Sequence, residues 1–191
     1  GLLMGEYIKY SIEFLLRIAK TPSNYAKVYA AVKEYVVRNE TYHKSEIHNI
    51  FQAAVDSKVD RFVPGLKRDW DEIDLWVLNS IQDWGQIFCT GTGVWGSSSA
   101  TGETILSRTL DFHVDRNAYI FQLNLIVHYH GDSTRNDVVA FTFPGIIGVL
   151  SGFNNYGVWI HLDASNGPVT IKTNRTPIAV SMRNLLEQEN G

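Results

Sequence analysis

The chain has 191 residues and a mass of 21.6 kDa, enough for one domain with a real buried core. Its 45% hydrophobic and 19% charged residues are ordinary for a globular protein, and a net charge of -3 with a pI near 6.1 gives no electrostatic reason to expect nucleic acid, whose binders carry a basic face. No apolar run reaches the ~18 residues of a membrane span, one cysteine cannot form an internal disulfide, and Gly1 to Gly5 (GLLMG) lacks the regions of a secretory signal.

Residues 1 to 88 read as helices. Ile8, Ile12, Leu15 and Ala19 form an apolar stripe that stops before Thr21-Pro22. Tyr25, Val28, Tyr29, Val32, Tyr35 and Val36 form a second. Ser45 is the expected cap of a third helix with Ile47, Ile50, Phe51 and Ala54 inside. After Pro64-Gly65, a fourth stripe runs through Ile73, Trp76, Val77, Ser80, Ile81 and Trp84 and ends near Gly85. The aromatic residues on these faces are expected in the core. Asn39-Glu40-Thr41 and Asn174-Arg175-Thr176 match the glycan acceptor pattern, which short chance matches also satisfy.

From Cys89 the period changes to two. The turn Ser99 to Glu103 is expected to use Gly102 at positive φ. Phe121, Leu123, Leu125, Val127 and Tyr129 alternate with Gln122, Asn124, Ile126, His128 and His130, as in a strand with one apolar face. A polar turn over Gly131 to Asn136 leads to strands at Val138 to Phe143 and Gly157 to Leu162, with another expected at Val169 to Lys172. Ile178 to Glu187 reads as a helix after Pro177. Strands joined by short turns imply antiparallel pairing. The chain divides into a helical segment, 1–88, and a β-rich part, 89–191.

The lone thiol sits on that boundary. With the turn centred near Thr101, Cys89 pairs with a residue between 111 and 114, which brings Asp111 close. Arg108 is three residues earlier, so Arg108 and Asp111 share one site only if the strand bends. A guanidinium beside the sulfur favours the thiolate. His113 lies close in pairing, but no histidine is marked by spacing as the base. Cutting the Phe88-Cys89 peptide would free an α-amine with an ordinary pKa near 7.7 to 8.0, able to take the thiol proton. The histidines are scattered and show no metal-ligand spacing.

The stretch CTGTGVWGSSSATGETILSRTLDF, from Cys89 to Phe112, resembles the start of the mature chain in N-terminal-nucleophile cysteine amide hydrolases of the penicillin acyltransferase, acid ceramidase and choloylglycine (bile salt) hydrolase group. The matching residues are Cys89, Thr90, Gly102, Arg108 and Asp111. PGIIGVLSGFNNYGVWI, from Pro144 to Ile160, is similar to the family's glycine-any-asparagine-any-any-glycine segment at Gly152, Asn154 and Gly157.

The resemblance implies an α+β fold, part of an αββα sandwich, with 1–88 as a helical propeptide that becomes the small subunit. It implies self-cleavage between Phe88 and Cys89, then attack of Cys89 on a linear amide with a hydrophobic acyl group and release of the amine from an acyl thioester. Asp111 would orient the freed amine, Arg108 would favour the thiolate and touch substrate, and Asn154 or a backbone N–H near it would donate to the oxyanion. No cofactor or metal is called for. The family fold continues beyond the position of Gly191, and an incomplete sandwich leaves open sheet edges, so a homodimer or a C-terminal partner segment is expected. An extracytoplasmic setting, periplasmic, secreted or lysosomal, is favoured. The alternatives are a non-catalytic binding or scaffold protein that keeps part of the fold, and a cysteine hydrolase whose base is a histidine.

Overall fold

The computed structural model describes residues 2–39, 43–85, 88–111, 123–163 and 175–188. Phe121, His113, the Val169 to Lys172 strand and parts of both glycan tripeptides lie outside them. The fold is mixed α+β with small antiparallel sheets. Among the described residues, no helix is long and apolar enough to cross a membrane.

The helical part begins with α1 (Leu2–Ala19), α2 (Pro22–Arg38) and α3 (His43–Asp56). Thr21 caps α2, its side chain accepting the Asn24 N–H at 3.1 Å, and Pro22 occupies the first helical position, where its missing N–H costs nothing. Ser45 is not a cap: α3 is already helical at His43, so Ser45 lies in its first turn. The reason is tertiary, because His43 is fully buried and its Nε2 meets Asn184 Oδ1 at 2.8 Å, which holds the start of α3 against the last helix.

The Pro64-Gly65 break is a small hairpin, β1 (Phe62–Val63) paired with β2 (Arg68–Asp69). The fourth stripe is divided into α4 (Glu72–Asn79) and α5 (Ile81–Trp84), hinged at Ser80. Asp71 and Asp74 form a capping box at the start of α4. Asp74, fully buried, also takes a forked pair of hydrogen bonds from Arg68 at 2.6 and 2.9 Å and one from the Tyr25 hydroxyl at 2.8 Å. A buried carboxylate with every lone-pair direction used in this way is held rather than stranded.

The β-rich part has β3 (Phe88–Val94) and β4 (Ile105–Asp111) as one hairpin, and β5 (Leu125–Tyr129), β6 (Val138–Thr142), β7 (Ser151–Asn154) and β8 (Trp159–His161) as a four-stranded meander. β7 has no clear alternation in its sequence and emerges only from pairing on both sides. The register divides the meander into two faces. Tyr129, Val138, Ala140, Asn154 and Ile160 face α6 (Ile178–Gln188), which covers them with Leu186 and Met182. Ile126, His128, Phe141, Phe153, Trp159 and His161 share the other face.

The change of period at residue 88 is not a boundary in the core. One hydrophobic cluster contains Ile8, Leu15, Tyr25, Trp70 and Trp76 from the helices together with Phe143, Ile147, Leu162 and Val180 from the second part. Asn79 ties the two. It is fully buried; its Nδ2 donates to the carbonyls of Leu75 and Gly145 at 2.9 Å, and its Oδ1 accepts the N–H groups of Ile147 and Gly148 at 2.8 and 3.1 Å.

Asp83 of α5 accepts the Ile178 N–H at 3.2 Å and so meets the first turn of α6. Burial pushes its carboxyl up to about 6, although that N–H favours the anion. Between the ordinary carboxyl value and about 6 the folded state holds a proton that the unfolded state has lost, so this group makes stability fall as pH rises through that window. Asp83→Asn removes the titration and keeps an oxygen acceptor. The difference in urea midpoint between wild type and Asp83→Asn is expected to shift in favour of the variant from pH 4 to pH 6.5, and a difference constant across that range would refute the assignment.

Candidate functional site

The register of β3 with β4 is regular over seven residues, from Phe88 opposite Asp111 to Val94 opposite Ile105. Cys89 therefore faces Leu110, not a residue between 111 and 114. The connection is centred earlier than Thr101 because Gly96–Ser98 forms a turn of 3-10 helix ahead of the Ser99-to-Gly102 turn. Gly102 has φ +76°, as its turn requires. No bend brings Arg108 and Asp111 to one face. Arg108 pairs with Gly91, on the same side as Cys89, while the Asp111 carboxylate lies on the other side and accepts the hydroxyls of Thr90 and Thr109 at 3.4 Å.

Arg108 Nη2 donates to Cys89 Sγ at 2.7 Å and to the Leu162 carbonyl at 3.1 Å, fixing the guanidinium between hairpin and meander. Its Nε–H is buried without a hydrogen-bond partner among the described residues. Such a group is costly unless a ligand supplies an acceptor. Cys89 is half-buried. Burial pushes its thiol up, and this outweighs the opposite pull of Arg108 and of the Asp111 backbone N–H. The expected thiolate bias is present, but it is the smaller effect: the resting sulfur carries its proton and needs a base.

Arg108 also lines a pocket of 550 Å³ whose apolar wall includes Leu110, Ile126, Phe141, Phe143 and Trp159. Phe153 stacks on Trp159 with centroids 6.1 Å apart, and Phe141 packs against both. This volume and lining suit an apolar group of small-molecule size.

Asn154 is not brought to the thiol. It belongs to the α6 face, where its Nδ2 donates to the Leu186 carbonyl at 2.9 Å and its Oδ1 accepts the N–H groups of Tyr156 and Val158 at 3.0 Å. These bonds close the turn after β7 and tie it to α6, the role that asparagine takes in turns.

His161 is brought close instead, and no spacing marked it. It packs so tightly over Gly91 that a Cβ there would collide with the imidazole, two residues along β3 from Cys89. Trp159 Nε1 donates to His161 Nδ1 at 3.3 Å, and His161 Nε2 stands 3.2 Å from Asp163 Oδ2. The only advance sign was Gly91 itself, a glycine inside a strand, which often marks close approach of another group. The histidines are also not all scattered: His128, His130 and Asp137 come together at the end of β5.

Fold and site thus define an α+β protein with a cysteine–arginine pair whose arginine lines an aromatic pocket. In comparisons with protein-family models, curated proteins and solved structures, nothing matches the chain.

Proposed function

We propose that the chain is a self-processing cysteine amidase or acyltransferase of the N-terminal-nucleophile kind, with an αββα-type core and residues 1–88 as its propeptide. Cys89 Sγ attacks the Phe88 carbonyl carbon, the peptide nitrogen leaves with a proton, and water hydrolyses the thioester. The new α-amine of Cys89 then serves as base for the same sulfur. In turnover, the thiol attacks a linear amide, the amine departs, and water or another amine takes the acyl group.

The observation that carries the reading is the Arg108 guanidinium, bonded to the sulfur on one nitrogen and carrying an unpartnered buried N–H at an apolar pocket. That N–H suits a developing oxyanion, and the aromatic wall suits a hydrophobic acyl group. Asp111 pairs with Phe88, so its backbone runs beside the bond to be cut, while its carboxylate is turned away from the sulfur and bonded to Thr90 and Thr109. Asn154 takes no part. The test is intact mass after incubation at mildly acidic and neutral pH: fragments meeting at residue 88 support the reading, and a chain that stays whole while lacking amidase activity removes it.

His161 beside Gly91 favours a second reading, in which the imidazole, with Asp163 holding its Nε2–H, gives up the Trp159 bond at Nδ1 to act as the base and no cleavage is needed. Under it, the uncut chain hydrolyses amides and His161→Gln lowers kcat by about 100-fold or more with the chain still whole. Under the first reading His161→Gln leaves self-cleavage in place.

A further inference from the structure

The tip of the β5–β6 hairpin gathers two imidazoles and a carboxylate that the thiol chemistry does not use. His128 lies near the end of β5 and His130 just past it, and their ring centroids are 4.1 Å apart on one side of the hairpin. Tyr129 pairs with Val138, which puts Asp137 at the entry to β6, next to both rings. His128 Nε2 is 3.9 Å from Asp137 Oδ1, and one donor atom from each of the three residues lies within 4.8 Å of the other two.

The carboxylate is held in place. Gly131 N–H donates to Asp137 Oδ1 at 2.6 Å, and the Asp137 backbone carbonyl accepts the Asn155 N–H at 3.2 Å. Arg135, the cation of the same turn, is paired with Asp132 at 2.6 Å. Both imidazoles are exposed, so an ion can reach them from solvent.

We propose that His128, His130 and Asp137 bind a divalent transition-metal ion, with zinc as the best fit. Two imidazoles and one carboxylate form a borderline donor set that suits zinc, and three protein ligands leave one position open. Tetrahedral zinc with ligands at about 2.0 to 2.1 Å needs donor atoms about 3.3 Å apart. The present spacing closes to that by small rotations of the two exposed imidazoles about the fixed carboxylate. Ile126, two residues earlier on β5 and on the same side as His128, lines the aromatic pocket. The ion would clasp the far end of that strand to β6 and offer its open position to solvent. This site does not depend on the amidase reading.

The test is titration of the untagged whole chain with Zn²⁺ by calorimetry, together with Co²⁺ absorption spectroscopy. One equivalent is expected to bind with a micromolar or tighter Kd, and Co²⁺ to give the visible bands of a four-coordinate site. His128→Ala, His130→Ala and Asp137→Asn should each weaken binding by about tenfold or more. Circular dichroism checks that they fold, which the exposure of the two histidines favours. Cys89→Ala and His161→Ala should leave the affinity unchanged, which separates this site from the thiol. No binding up to millimolar Zn²⁺, unchanged binding in the His128→Ala/His130→Ala double variant, or loss of binding in Cys89→Ala would each overturn the proposal.

Discussion

On the proposed self-processing reading, Cys89→Ala is expected to remain a single 21.6-kDa species under conditions that would divide the wild type at residue 88, and to hydrolyse amides slower by on the order of 10⁴-fold or more. Alanine retains the β-carbon and the hairpin register but removes the only thiol in the chain, so neither the internal thioester nor the acyl-enzyme can form. Because burial keeps the resting sulfur protonated, its reactivity rests on what opposes burial, and Arg108 is the main such group. Arg108→Gln should therefore move the pH profile of iodoacetamide alkylation to higher pH and slow it roughly tenfold near pH 8. A profile that does not move would show that the 2.7 Å contact does not tune the sulfur. Helical and β residues share one core, so the wild-type fragments should elute together from a sizing column and separate only in denaturant. Fragments that part in native buffer would contradict that shared core.

Asn79→Leu is expected to give the largest loss of stability among single substitutions outside the hydrophobic core. The side chain satisfies the N–H groups of Ile147 and Gly148 and the carbonyl of Gly145 in a place without solvent. Leucine has the same branching with bulkier ends and satisfies none of them. Each stranded buried group costs about 1 to 3 kcal/mol, which puts the total near 3 to 5 kcal/mol after relaxation. For a chain of this size, that lowers Tm by roughly 10 °C. Asn79→Asp is no rescue, since it keeps the acceptor but sets a charge against two carbonyls. Urea unfolding provides the measurement, and a loss under about 1 kcal/mol would mean that the segment around Gly145 to Gly148 is held by other contacts.

The helices were legible because their signal is local. Ile8 with Ile12 and Leu15, or Tyr25 with Val32 and Tyr35, repeat over distances that a single helix spans, and all six are buried as their spacing demands. The proximity of Arg108 to Cys89 was legible for a similar reason, since hairpin strands bring near neighbours in sequence together. The pairing itself was misjudged because the turn contains an additional short helical segment, and hairpin register depends on every residue of the connection. The strand does not bend either, so the site expected to hold both residues is not formed: Arg108 lies on the thiol's side and Asp111 on the other.

What the amino-acid sequence determined by itself is the succession of the helical stripes, the switch from a helical to a strand period near residue 88, and the placing of one thiol at the start of a glycine-rich hairpin. Periodicity and turn chemistry act over a few residues, so they can be read without knowing the fold. Tertiary structure alone decided that His161 lies over Gly91, that Asn154 serves α6, that Asp137 meets His128 and His130, and that burial outweighs Arg108 at the sulfur. Each of these is set by which surfaces exclude water from one another, and that depends on packing between segments, not on the pattern within any one of them.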